Sequence, residues 1–352
     1  MPMLDFIVVG QGLAGTVLAD TLIQNNKSIV VIDDTSYSTC SRVSAGLFNP
    51  MVFKRLNKSW MIDDLWKFTE NYFLFLEKRF NETVYYKREI LKLFFEENEK
   101  KFWHEKVGNG LMLDYMSGVV GQDYFTNELV NPFGAGIVKN AGNVDVRKVL
   151  LLLRDFFISS KVLIQERFLF SELILKEGYV KYKELEAKKI IFCEGFRAKN
   201  NPFFDWLPFK LSKGEILTIE MVFPWPLQVV NKGVFVLPLS DHIYKVGATH
   251  NWLNMDESPT SEGREELCLK LSRIMKVPYT ILKHEAGIRP TTSDRRPLIG
   301  IHPEYETVGI FNGMGTKGVL LAPYFASHFI DFLDGKTTLN KEVDINRSWK
   351  GN

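Results

Sequence analysis

Three glycines near the start of the chain, Gly10, Gly12 and Gly15, follow the apolar run Asp5-Phe6-Ile7-Val8-Val9 in the spacing G-x-G-x-x-G. That spacing suits phosphate chemistry. Gly10 permits a tight turn out of a strand, Gly12 lets the backbone approach a pyrophosphate, and Gly15 lets a helix pack closely on the strand. The helix start at Leu13 and Ala14 offers unpaired N–H groups and a partial positive charge to the phosphates. A second apolar run, Ser28 to Ile32, ends at Asp33-Asp34, and a carboxylate there can accept hydrogen bonds from a ribose hydroxyl. Strand, glycine turn, helix, strand and acid, in that order, predict a bound adenine dinucleotide. A second glycine cluster, Asn312-Gly313-Met314-Gly315-Thr316-Lys317-Gly318, lets backbone N–H groups approach a ligand. The helical pattern behind it, Val319 to Leu333, buries Leu320, Phe325, Phe329 and Phe332, and Pro323 falls early enough in it to lose little hydrogen bonding.

The elements between these loops distinguish the dinucleotides. Asn143 to Phe157 reads as an amphipathic helix and Val162-Leu163-Ile164 as a strand. Glu172 to Lys176 and Tyr179 to Lys183 flank the turn signal Glu177-Gly178, and a further strand, Lys189 to Phe192, runs into Cys193-Glu194-Gly195. A β-meander followed by an apolar strand ending near glycine suits a flavin-type Rossmann domain. Nicotinamide domains usually continue with alternating strands and helices, so a nicotinamide dehydrogenase ranks last among the readings.

Composition sets wider bounds. The 352 residues can form two domains with an extensive core. A formal charge of +2, with no block of lysine or arginine, gives no sign of a nucleic-acid tail. The three cysteines, Cys40, Cys193 and Cys268, lie far apart without a C-x-x-C, so neither a zinc site nor a disulfide framework is expected, and free thiols fit a reducing compartment. The first strand begins without a signal-like segment, and the longest apolar runs, such as Val149 to Leu153, are too short to span a bilayer. These features together read as a cytoplasmic protein without a transmembrane segment or a metal.

Several ordered motifs then narrow the reading. Gly287-Ile288-Arg289-Pro290-Thr291-Thr292-Ser293-Asp294 runs on to Pro297-Leu298-Ile299-Gly300 and to the second glycine cluster. With Ser44-Ala45-Gly46, Lys213-Gly214-Glu215 and Val246-Gly247-Ala248-Thr249, these segments resemble the D-amino-acid oxidase family of FAD-dependent oxidoreductases, especially its glycine oxidase and sarcosine oxidase branch. The order matches along essentially the whole chain. The resemblance implies an α/β fold: a flavin-type Rossmann FAD-binding domain (1–82, 140–205 and 285–352) interleaved with an α+β substrate domain (83–139 and 206–284) on a mostly antiparallel sheet. Prolines 202, 208, 224 and 226 fit a crossing segment and interrupted strands.

The same resemblance implies non-covalent FAD, since the attachment cysteine of sarcosine oxidases is replaced near Met314-Gly315. The implied cofactor set is Gly10, Gly12, Leu13, Ala14, Gly15, Asp33, Asp34, Ser44, Ala45, Gly46, Val162, Cys193, Gly195, Arg289, Gly313, Gly315, Thr316, Lys317 and Gly318. Arg289 corresponds to an arginine that pairs with a substrate carboxylate, for which a guanidinium fork is suited; the structural alternative is a loop-stabilising contact with Asp294. Arg295 and Arg296 read as a solvated pair. Lys245 matches an oxygen-activating lysine of sarcosine oxidase, or is an exposed strand lysine. His250 ends the same strand, where relatives place substrate-contacting side chains; regular alternation would place it opposite Lys245, Gly247 and Thr249, and a bulge or strand end would turn it inward. Phe235 stands where glycine oxidases carry a tyrosine, and phenylalanine cannot hydrogen-bond a carboxylate or amine, which argues against glycine itself. Trp206, Trp225, Phe235 and Trp252 are candidates for an apolar pocket wall, and equally for core.

The expected reaction moves a hydride equivalent from the carbon beside an amine to flavin N5, followed by imine hydrolysis and reoxidation by oxygen or another acceptor. Its expected partner is a small amine or amino acid. Two other readings stay open. One is the tRNA wobble-uridine modification oxidase of the same family, for which no sequence-local basic patch speaks. The other is a flavin-binding protein without turnover.

Overall fold

Continuous apolar runs that must be covered on both faces dictate the first sheet. In Leu4–Val9 the last four residues are all buried, and Ile29–Ile32 is nearly so, as central parallel strands require. In the computed structural model, which describes residues 2–34, 40–110 and 112–350, these strands pair in parallel, with Val8 opposite Val31. Leu185–Phe192 pairs with the other side of Leu4–Val9, and the meander Leu173–Lys176 and Tyr179–Tyr182 continues the sheet from the start of that strand. Val308–Asn312 adds in parallel to its other half and pairs with Leu298–Ile301, while the short Leu163–Ile164 closes the far edge. The helix Leu13–Gln24 packs on this sheet under the C-terminal helix Gly318–Leu333.

Among the described residues the second sheet has nine strands. From one edge it runs Thr280–Arg289, Ser212–Glu220, Ile243–Gly247, Phe235–Ser240, Val229–Asn231, Tyr85–Leu93, Ala135–Val144 and Leu47–Phe48, with Met116–Val120 also on Ala135–Val144. Among these described strands the pairing of Val229–Asn231 with Tyr85–Leu93 is parallel and the others are antiparallel. The expected cuts at 140 and 285 both fall inside strands of this sheet. The strand Thr280–Arg289 in fact delivers Arg289 from the second sheet to the space between the two.

Local expectations shift at their ends. The helix expected from Asn143 begins at Val146, because Asn143 and Val144 still pair in the sheet and Asp145 caps the helix by accepting from the Lys148 N–H at 3.0 Å. The strand expected from Lys189 starts earlier, at Leu185, where it meets the meander. Among the described residues no helix is long and apolar enough to cross a membrane.

One polar group is locked inside the helical layer. Asp20, fully buried on the Leu13–Gln24 helix, accepts from Arg79 Nη1 at 2.6 Å, Tyr72 Oη at 3.0 Å and Gln24 Nε2 at 2.6 Å. Burial raises its pKa, and Arg79 opposes the rise. The pair ties this helix to Ile62–Phe80. Removing one partner of such a pair leaves a buried charge and costs about 3–5 kcal/mol. The partial exposure of Arg79 places Arg79→Met at the lower end, about 3 kcal/mol. Denaturant unfolding of the FAD-loaded protein measures it; an unchanged midpoint contradicts this assignment.

Candidate active site

A cavity of ≈ 1190 Å³ opens between the sheets. Small-molecule sites usually enclose about 300–1,000 Å³, so there is room for a dinucleotide and a small second ligand. Gly10, Gly12, Leu13 and Ala14 line one end. Gly10 has φ +99°, and a Cβ there would lie 2.8 Å from the Cys193 carbonyl oxygen, so only glycine makes this turn. A Cβ on Gly12 would meet nothing but Ser41 Oγ at 3.5 Å. The backbone is therefore bare on that side, and Gly12 places no side-chain cap on the helix it starts. Gly15 lies outside the cavity, where a Cβ would strike the Gly10 carbonyl and sit 2.9 Å from Cys193 Cβ. The helix start has no cap from Gly12 itself and no acid in its first turn; the Leu13 N–H donates to Ser41 Oγ at 3.0 Å, and this glycine-led start fits a pyrophosphate.

Asp33 and Asp34 line the cavity where the second strand ends, as do Ser44, Ala45, Gly46, Cys193 and Gly195. Val162 does not. Its carbonyl accepts from the Val31 N–H at 2.7 Å, inside the sheet. The wall in that region is instead Glu166 to Ser171, including Phe168 and Phe170. The chain leaves the sheet after Ile164, so the wall lies further along than the position the resemblance indicated.

At the other end Gly315 (φ +55°), Thr316 and Gly318 line the cavity at the start of the C-terminal helix. Gly313 (φ +74°) faces away, backed by the Leu298 N–H. Lys317 also points away and donates to Ser59 Oγ at 2.8 Å; burial lowers its pKa to about 8. Asn312, which opens the second glycine cluster but is not in the implied cofactor set, joins that cluster to the Gly195 loop. Its Nδ2 donates to the Gly195 carbonyl at 2.9 Å, and its Oδ1 accepts from the Gly313 N–H at 2.8 Å.

Arg289 stands over the middle of the cavity, 9% exposed. Its guanidinium makes only long contacts: to the Thr249 carbonyl at 3.3 and 3.4 Å, to Ser212 Oγ and the Lys213 carbonyl at 3.5 Å, and to His250 Nδ1 at 3.3 Å. Among the described residues no carboxylate pairs with it; Asp294 pairs with Arg347 at 2.9 Å instead. Burial lowers the Arg289 pKa, yet a guanidinium stays charged. Gly214 is the floor beneath it, where any Cβ would overlap the guanidinium.

His250 lines the cavity because the strand ends at Gly247, so the alternation expected through Thr249 does not apply. Burial and Arg289 lower its pKa, and Nδ1 facing a guanidinium leaves the ring proton on Nε2. Lys245 does not line the cavity and is not an exposed strand lysine. Its Nζ donates to the Val43 and Ser44 carbonyls at 3.0 and 2.9 Å, holding the loop that bears Ser44, Ala45 and Gly46.

Phe235 lines the cavity against Gly247, where a Cβ would come within 3.0 Å of its ring. The other tryptophan candidates are placed elsewhere. Trp225 is core, Trp206 stacks edge-on against Trp349, and Trp252 is exposed beside His250. Arg296 is not a free solvated residue, since it pairs with Glu342 at 2.7 Å over the Trp60 ring. Cys40, Ser41, Phe53 and Lys270 also line the cavity without belonging to any motif that singled them out.

Comparison with known proteins agrees with this geometry. The family model described as "DAO: FAD dependent oxidoreductase" matches residues 5–331. A glycine oxidase of Pseudomonas putida is 31% identical over 134 residues, which is 37% of this chain and 36% of that protein, so the match spans about a third of its length. The uncharacterized oxidoreductase YurR of Bacillus subtilis is 21% identical over 97% of each chain. The crystal structure of glycine oxidase from Geobacillus kaustophilus superposes with a TM-score of 0.80 over 96% of both chains at 19% identity, a likeness of fold.

Glu194, another cavity residue, has a pKa raised by burial to about 7, although Asn201 Nδ2 donates to it at 2.7 Å. The folded chain then binds the proton more tightly than the unfolded chain does. Stability from this group is present at low pH and falls as pH rises from about 4.5 to about 7. Glu194→Gln keeps an acceptor for Asn201 and removes the penalty. The variant is expected to raise the thermal midpoint of the FAD-free chain at pH 8 and not at pH 5. Equal effects at both pH values contradict it.

Proposed function

The chain belongs to the DAO family of FAD-dependent oxidoreductases, and we propose that it oxidises the C–N bond of a small amino acid or related amine carrying a carboxylate. The observation that carries this reading is the buried Arg289, a cation with long, weak contacts and no acidic partner among the described residues, facing the cavity. The residues present fit FAD. The open backbone at Gly12 and the helix start behind it suit a pyrophosphate, and Asp33, which lines the cavity, offers a carboxylate to a ribose. The glycine start of the C-terminal helix supplies N–H groups and a positive helix end where the reduced ring gathers negative charge. When bound, the flavin supplies the hydride acceptor at N5, and oxygen is proposed to take the electrons onward.

The chain's own residues bind and orient. Arg289 receives the substrate carboxylate in two parallel charged hydrogen bonds, shorter than those it makes to the Thr249 carbonyl. Phe235, Ile216 and Ala248 offer apolar wall and no competing hydrogen bonds to the amine. A neutral His250 adds no charge that would oppose a cationic product. Nothing in this arrangement demands a separate general base if the amine binds in its neutral form.

Hydrogen bonds to charged groups contribute about 1.5–3 kcal/mol each, so losing a bidentate pair costs about 3 kcal/mol or more, a factor of roughly 100. Arg289→Ala is expected to lower the second-order rate of anaerobic flavin bleaching by at least that factor across amino acids, with FAD still bound. Unchanged bleaching contradicts the assignment. For the acceptor, reduced protein exposed to air should return to the yellow form and release peroxide; a flavin that stays reduced in air contradicts oxygen as acceptor.

A further inference from the structure

The second position of the glycine turn is occupied by Gln11, which is 7% exposed and reaches a helix far along the chain. Its Nε2 donates to the Leu150 carbonyl at 3.4 Å. Its Oε1 accepts from Arg154 Nη1. Arg154, on the helix Val146–Ser159, is 9% exposed. The same Nη1 lies 3.2 Å from Asp33 Oδ2, and Nη2 donates to Gln165 Oε1 at 3.0 Å. The other oxygen of Asp33, Oδ1, accepts from the Gln11 main-chain N–H at 2.8 Å. One guanidinium thus joins the glycine turn, the end of the second strand, the crossing helix and the segment after Ile164. No ammonium has the planar fork to serve these acceptors together.

Two physical consequences follow. Each Asp33 oxygen accepts one such bond and keeps further acceptor capacity, on a residue that lines the cavity. The carboxylate also stands close to where a negatively charged pyrophosphate must lie, and Arg154 offsets that repulsion from the side away from the ligand. We propose that Arg154 is a positioning residue for the adenosine half of FAD. It holds Asp33 ready to accept from the ribose hydroxyls before the cofactor arrives, with Gln11 and Gln165 holding Arg154. Arg154 touches no part of the substrate region, so this inference stands apart from the amine-oxidising reading.

The test is a titration of the full-length chain, stripped of FAD, with FAD and separately with ADP, each followed to saturation. Arg154→Met is expected to weaken both ligands about tenfold or more, and Arg154→Lys to restore only part of the loss. The effect should run through Asp33. In an Asp33→Asn background, Arg154→Met is expected to cost less than about twofold further. A role confined to holding the fold would lose the same factor in both backgrounds, and that result overturns the proposal, as does an ADP affinity unchanged by Arg154→Met. If Arg154→Met does not fold, Gln165→Leu, which frees Nη2 alone, is expected to weaken ADP about two- to threefold in the native background and not in the Asp33→Asn background. No change in the native background, or an equal loss in both, overturns the proposal.

Discussion

A guanidinium kept from water without a counter-anion is the constraint on which the substrate side of the structure turns. Burying an unpaired charge is among the more costly things a fold can do. Arg289 is tolerated because carbonyls and a neutral imidazole surround it at 3.3–3.5 Å, enough to solvate it loosely and too little to satisfy it. The parts around it follow from that demand. Gly214 leaves the floor flat, Thr249 turns its carbonyl inward while its hydroxyl accepts from the Glu215 N–H at 2.9 Å, and the strand Thr280–Arg289 ends at the residue that must reach the cavity. The unmet hydrogen-bonding capacity is a binding site for a carboxylate.

Two sheets with different jobs bring this cation opposite a cofactor cradle. The first sheet ends its central parallel strands at Gly10 and Asp33, both on the cavity, where a dinucleotide is proposed to lie. The antiparallel sheet delivers Arg289, Phe235 and, through its terminated strand, His250. Small ties fix how the two meet. Lys245 reaches from the second sheet to the Val43 and Ser44 carbonyls, and within the first sheet Asn312 joins the Gly195 loop to the second glycine loop.

What was legible in the sequence was local. The glycine turn could be read because the φ of Gly10 and the close packing of Gly15 are demands made by immediate neighbours, and the C-terminal helix because its apolar period is complete within it. Motif order carried Arg289. The rest depends on partners distant in the chain. Nothing near Lys245 announces that its ammonium will meet carbonyls some two hundred residues earlier, and nothing near Gln11 announces Arg154. His250 depends on where its strand stops: regular alternation would turn it away, and the end at Gly247 brings it to the cavity. Val162 stays in the sheet and off the cavity wall, because the chain runs on past Ile164 before it reaches that wall.

The claim that Arg289 is a carboxylate site awaiting its ligand is most directly tested without turnover. The oxidised, FAD-loaded protein is titrated with acetate and, separately, with acetamide, while the flavin absorption band is followed. The account predicts a saturable shift with acetate and none with the neutral isostere over the same range. Equal shifts with both, or none with either, contradict it.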